Sequence, residues 1–467
     1  MSILIILMVT AGILIASLAI TPRTQTVEGF YQGFSETGSA PSLWTLVLSQ
    51  VTTWIFARSL MTAAILGFHY GIAGALAYTA YYLSFVTGGA IIQHLRFKHG
   101  YNNVQSFLTA QYGSAGSWMY NFVIILRLLS EVFANLIVVG EIFGLKGSHE
   151  YFLAMLAIGV VTVTYSSMGG LRASLRTDVF QSVIVLALVV FLFFAMLSHD
   201  LFNFSALINS TPDISSPGWV LLLVAALQLW SYPLHDPVMM DRGFLADKET
   251  TQKSFLHAAW ISIVCILMFA SLGVFAGLNK SDEQGMIEAL TSLFGEPIMI
   301  LFSVALVVSA LSTLDSTFSS ASKLVVKDMQ LLPETVNSGR IVMIAFLVLG
   351  GAFLVWNNKD LYAAVAVSGT LSMFLLPVIV FSIWGNRQIA LWPLVITFAV
   401  TVFGAITYVT ETSTYKNLHW MTDVFGYEHK YSKLLIICLV IAAVGFVTFA
   451  LGSKGKIQQP TSQRAII

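Results

Sequence analysis

Long apolar runs separated by short polar junctions make up almost the whole chain. Windows long enough to cross a bilayer, about 19–25 residues each, predict about thirteen transmembrane helices. They fall near residues 2–20, 43–66, 70–94, 117–143, 150–167, 177–198, 217–240, 254–278, 296–320, 340–356, 360–384, 389–409 and 433–452. Polar side chains inside these runs stand out. From Ile298 the ninth span runs without Gly or Pro into Ser309-Ala-Leu-Ser-Thr-Leu-Asp-Ser316. At about 100° per residue, Ser309, Ser312, Thr313 and Ser316 share one stripe, with Asp315 at its flank. An acidic residue at a bilayer centre costs about 2.5–3.5 kcal/mol. The stripe therefore faces something polar: either a hard cation, which takes oxygen ligands, or another helix through Ser/Thr contacts.

The seventh span is interrupted by Trp230-Ser-Tyr-Pro-Leu-His-Asp-Pro237. Pro233 and Pro237 each lack an N–H and clash with a carbonyl four residues back, so the helix breaks there. Broken helices at membrane depth mark binding sites in transporters; a simple proline kink that leaves His235 and Asp236 at the inner mouth is the alternative. In the second span, Ser49-Gln-Val-Thr-Thr-Trp-Ile-Phe-Ala-Arg-Ser59 carries hydroxyls, an amide and Arg58, all needing polar company. If this helix also unwinds, its carbonyls become ligands. Arg58 either pairs with a distant carboxylate or contacts a solute. Arg127 and Glu131 lie four apart on one helical face, where they can neutralise each other; otherwise Glu131 reads the charge of a ligand. Asp178 follows the Met168-Gly-Gly turn, where it suits a departing cation or pairs with Arg176.

Composition agrees with the hydropathy. Of 467 residues, 57% are hydrophobic and only 10% charged, a membrane composition. Formal net charge is zero, which excludes a nucleic-acid-binding signature. Cys265 and Cys438 sit in apolar spans and form no metal cluster. No nucleophile–base pair or metal-ligand set appears on facing spans, so no enzyme is expected. With the N-terminus outside, 15 of the 23 Lys and Arg lie on the inner side and 6 on the outer. That bias predicts N-out, C-in in the plasma membrane. The tail after Gly452 is short and expected to be disordered.

Taken together, Met168-Gly-Gly followed by Asp178-Val-Phe-Gln181, the Ala310-Leu-Ser-Thr-Leu-Asp-Ser316 core and Pro237-x4-Arg242 resemble the sodium/solute symporter family, over all the predicted spans. The resemblance implies an all-α membrane fold of the LeuT type. Spans 2–6 (43–200) and 7–11 (201–387) would form two inverted five-helix repeats, with residues 1–42 and 388–467 peripheral. It further implies a main sodium site from the carbonyls of Thr52, Ile55 and Ser309 and the hydroxyls of Ser312 and Thr313. A second sodium, found in some members, maps onto Ser312, Asp315, Ser316 and Asp178; here position 315 is Asp rather than a hydroxyl. The solute pocket maps onto Trp54, Phe56, Ser59, Tyr78, Glu131, Trp230 and Tyr232. Aromatics with one acid suit a polar or partly cationic solute through stacking or cation–π contact. The expected function is sodium-coupled import of a small polar organic solute by a monomeric or weakly oligomeric carrier. The alternative is a transporter-like sensor, a class that usually carries an appended signalling domain for which the short tail leaves no room.

Overall fold

The computed structural model describes residues 2–352, 361–413 and 419–456. The chain is helical almost throughout. In order, it runs α1 (Ser2–Ile20), α2 (Val27–Gln32), α3 (Leu43–Trp54), α4 (Ala57–Ala80), α5 (Ser84–Ile92), α6 (Val104–Phe143), α7 (His149–Leu197), α8 (Phe204–Ile208), α9 (Pro217–Gln228), α10 (Tyr232–His235) and α11 (Pro237–Arg242). There follow α12 (Lys248–Asn279), α13 (Met286–Lys323), α14 (Val336–Ala352), α15 (Leu361–Ser372), α16 (Leu375–Pro377), α17 (Leu391–Glu411), α18 (Trp420–Phe425) and α19 (Lys430–Leu451). Side-chain caps start several of them. Ser42 accepts from the Thr45 amide at 3.3 Å to open α3, and Asn103 from the Ser106 amide at 2.8 Å to open α6. These caps satisfy amides the helix itself leaves free.

Among the described residues, eight helices are long and apolar enough to cross a bilayer. Several are too long for one crossing: α7, with 49 residues, would span about 74 Å if straight, against a hydrocarbon core of about 30 Å. Glycines break them. Gly71, Gly113, Gly170 and Gly295 each leave helical geometry with positive φ inside α4, α6, α7 and α13. Each break falls at or beside a junction that hydropathy placed between spans. At Gly170, φ is 57° and a Cβ would stand 2.3 Å from the Phe30 carbonyl, so no other residue fits without displacing the α2 segment. The junction between spans 10 and 11, at 353–360, lies outside the described residues.

Among the described residues, two further interruptions in the interior build the site. The first separates α3 from α4 at Ile55 and Phe56, whose φ/ψ values are −87°/66° and −93°/162°. The second separates α10 from α11 at Asp236, with φ −103° and ψ 98°. Both breaks are buried, packed among α6, α7 and α13. One expectation is corrected in part. Ser453–Lys456, at the start of the tail, is a strand that pairs antiparallel with Arg387–Ile389, because two short polar segments beside helix ends satisfy each other's backbone groups. The rest of the tail, 457–467, lies outside the described residues.

Candidate ion and solute site

The α3–α4 break frees carbonyls that a continuous helix would consume. Val51 keeps a helical partner, the Ile55 amide at 2.9 Å; the ladder then ends. The Ile55 carbonyl accepts the Ser309 hydroxyl of α13. The Ser309 carbonyl in turn accepts the Thr313 hydroxyl at 3.0 Å. Ile55, Ser309 and Thr313 thus form one connected run of oxygens bridging the broken helix and α13. Thr52, one turn before the break, is 1% exposed, and its hydroxyl meets that of Ser182 on α7. Ser312 is on the same stripe of α13, but its hydroxyl donates to Asp178 at 2.5 Å.

Asp178 is fully buried and crowded with donors. Ser49 donates to it at 2.6 Å, Ser316 at 3.1 Å and Ser174 at 3.3 Å. Its ion partner is Arg242 at 3.4 Å, not Arg176 as local spacing suggested. Arg242 also donates to Ser316 at 2.9 Å and Ser49 at 3.1 Å. Asp315 turns away from this group. Its two oxygens accept Ser166 and Thr177 hydroxyls, each at 2.6 Å, and among the described residues no basic side chain pairs with it.

On the other side of the α3–α4 break lies a chain of buried charges. Glu131 is shared by Arg58 at 3.0 Å and by Arg127 one helical turn before it. Arg127 also pairs with Asp236 at 3.0 Å. Asp236 caps α11 by accepting the Met239 amide at 2.9 Å. The two arginines and two carboxylates neutralise each other while tying α4, α6 and the α10–α11 break together. In the structure Arg58 meets a carboxylate far along the chain and Arg127 pairs with Glu131.

An aromatic chamber adjoins this chain, lined by Trp54, Phe56, Ser59, Tyr78, Tyr232 and Arg127, with Tyr81 and Tyr82. Five of the seven residues expected in a solute pocket therefore meet. Two do not. Glu131 faces the arginines and lines a neighbouring cavity that shares Arg127. Trp230 is 43% exposed and packs edge-on against Trp384 at 6.1 Å; the chain turns between α9 and α10, pointing this indole outwards while Tyr232 points in.

Set beside known proteins, this arrangement has clear relatives. The model of the sodium:solute symporter family matches residues 37–397, more than half of the chain. The chain belongs to that family. Among solved structures, the symporter is similar to a substrate-bound, outward-open Na+-coupled sialic acid symporter, with 14% identity, a TM-score of 0.70, and coverage of 97% of this chain and 99% of the other. It is similar to a nucleobase-cation-symport-1 family transporter closed on bromovinylhydantoin, with 16% identity, a TM-score of 0.56, and coverage of 93% and 96%. A manganese transporter of Eremococcus coleocola shares 12% identity at a TM-score of 0.50, over 88% and 95% of the two chains. These likenesses establish a transporter fold. Compared by sequence alone, no curated protein matches the chain. The symporter is a multi-pass membrane protein and not an enzyme.

Two residues of the symporter that sequence counted as inner-surface cations are buried instead. Arg242 is one; Lys323 is the other, 8% exposed. Lys323 bridges Asp241 on α11 and Asp328, at 3.6 Å from the latter. Asn103 donates to Asp328 at 2.8 Å and Ser320 to Asp241 at 2.8 Å. This cluster ties the ends of α11 and α13 to the start of α6. Hydropathy missed it because α11 and α13 carry their charges past the apolar window, where sequence patterning reads only a junction. The sole local hint was the alternation of acid and base in Asp241-Arg242 and Lys323…Asp328.

Proposed function

We propose that the symporter couples inward movement of sodium to import of a small organic solute by alternating access. One observation carries this reading: the Ile55 carbonyl at the α3–α4 break meets Ser309 of α13, and the Ser309 carbonyl meets Thr313. Sodium would be held there by the carbonyls of Thr52, Ile55 and Ser309 with the hydroxyls of Ser312 and Thr313. It is a substrate of the cycle, not a resident group. The oxygens come from two separate elements, the broken helix and α13, that the Ser309–Ile55 contact brings together. An ion that binds them together favours whichever conformation brings α3 and α13 close, and a ligand shifts an equilibrium only through such differential affinity. The inverted repeats 43–200 and 201–387 accord with the two buried breaks, each near the start of its half. N-out, C-in orientation at the plasma membrane accords with the remaining inner basic residues once Arg242 and Lys323 are set aside.

Sodium is expected to stabilise the purified protein where potassium does not. A ligand at 100 times its dissociation constant adds about 2.7 kcal/mol, which a melting curve resolves easily. Coincident curves in saturating sodium and saturating potassium would contradict the reading.

We further propose that a single sodium couples. The second set of oxygens, Asp178, Asp315 and Ser316 with Ser312, already has a cation in Arg242, and Asp315 spends both oxygens on Ser166 and Thr177. The sodium titration of the melting midpoint should therefore fit one site in wild type and in Asp315→Asn alike. A two-site curve that collapses to one site in Asp315→Asn would instead place a second ion there.

A further inference from the structure

We infer that the solute is a hydrogen-bond acceptor, neutral or anionic, received by the indole N–H of Trp54 and the Nε–H of Arg127, and that amines are excluded. The inference rests on the reading of the aromatic chamber as the solute pocket and goes beyond it by assigning the solute's chemistry.

The chamber's donors and acceptors can be counted. Tyr78 donates its hydroxyl to Ser59 at 3.0 Å. Tyr82 donates to the Trp54 carbonyl at 2.7 Å, and Tyr81 to Gln228 at 2.7 Å. Among the described residues, no carboxylate lines the chamber; Glu131 and Asp236 are taken by Arg58 and Arg127. Apart from the hydroxyl oxygens of Ser59 and the tyrosines, which both donate and accept, the chamber presents donors without acceptors. Among the described residues, the buried Trp54 Nε1 and Arg127 Nε have no hydrogen-bond partner, and neither do Nε and Nη1 of Arg58 behind Phe56. Trp54 is 4% exposed, Arg127 4% and Arg58 0%. A buried donor left unmade carries the desolvation cost of the group with nothing to offset it, and native proteins leave few of them. An acceptor oxygen on the solute would recover that cost at two of these groups.

The same geometry opposes a cation. Its ammonium would bring only donors and would sit beside Arg127. Two of the ring faces are already occupied by cations. The Arg58 guanidinium lies 5.0 Å from the centre of Phe56, and that of Arg127 lies 6.0 Å from the centres of both Phe56 and Tyr232. This departs from the expectation of a polar or partly cationic solute, which the resemblance suggested by mapping aromatics and one acid, Glu131, onto the pocket. The chamber encloses only about 20 Å3, so a solute larger than a water or two enters as the ring walls part.

The test uses the full-length protein in saturating sodium with size-matched carboxylates, amides and amines: benzoate, benzamide and benzylamine, cyclohexanecarboxylate and its amide and amine analogues, and the isobutyl series. Melting-midpoint shifts rank them. A carboxylate or amide is expected to stabilise, and its matched amine not to. Trp54→Phe keeps an aromatic ring against Tyr82 and Phe85 and removes the N–H together with the rest of the five-membered ring. It should weaken the best probe about five- to tenfold, as expected for one hydrogen bond. The inference is overturned if an amine binds as well as its matched acceptor, if no acceptor probe binds, or if Trp54→Phe leaves the best probe's affinity unchanged. A wild-type protein that shows no sodium response in the absence of any probe contradicts the proposed function instead, so the two failures are told apart.

Discussion

Glu131→Gln is expected to lower folding stability by about 3–5 kcal/mol, the range for breaking a buried ion pair by removing one partner. Glu131 is 3% exposed and answers two guanidinium groups. Without its charge, Arg58 and Arg127 share the single carboxylate of Asp236, leaving one buried positive charge uncompensated. The introduced side-chain amide would also present an N–H2 to groups that only donate. The melting midpoint of the purified variant in sodium measures the loss. A second variant separates charge from packing. Adding Arg58→Leu restores neutrality, leaving Arg127 with Asp236, and should recover part of the loss. A single variant within about 1 kcal/mol of wild type would mean that water reaches this chain of charges.

Thr313→Ala is expected to raise the sodium concentration for half-maximal stabilisation about tenfold or more. It removes one ligand oxygen and the hydrogen bond to the Ser309 carbonyl; interactions with a charged group are worth about 1.5–3 kcal/mol. Thr313→Ser keeps the oxygen and should stay near wild type, which controls for packing. Ser312→Ala should weaken sodium as well, and it also strips a 2.5 Å hydrogen bond from Asp178, so a loss of stability without sodium accompanies it. Ser319→Ala, two turns farther along α13, should leave the sodium titration unchanged. Equal titrations of wild type, Thr313→Ala and Ser312→Ala would remove the ion from this junction.

Much of the site is readable in the sequence because membranes make polar residues conspicuous. The hydroxyl stripe at Ser309–Ser316 and the hydroxyl-rich run before Arg58 declare themselves against lipid-compatible surroundings, and Pro233 and Pro237 announce the second break. Arg127 and Glu131 are four apart, so their pairing is local. The misses share a different cause. Asp178 pairs with Arg242, 64 residues away, and Lys323 with Asp241, 82 residues away; periodicity carries no information about such partners. Both cations were read as surface charges because an apolar window ends before the helix does. Trp230 and Tyr232 lie two residues apart in a broken helix, where neither helical nor strand spacing says which faces inward. Glu131, the single acid assigned to the solute pocket, pairs with Arg58 and Arg127 and lines the cavity beside the aromatic chamber; the sequence shows the partner four residues away but not the one from α4.

Direct binding of radioactive sodium to the purified protein in a potassium background tests the central claim, an ion held between the α3–α4 break and α13. Saturable binding of about one ion per chain is predicted for wild type and Thr313→Ser, with affinity about tenfold or more weaker in Thr313→Ala. The absence of saturable binding in wild type, or unaltered binding in Thr313→Ala, would contradict it.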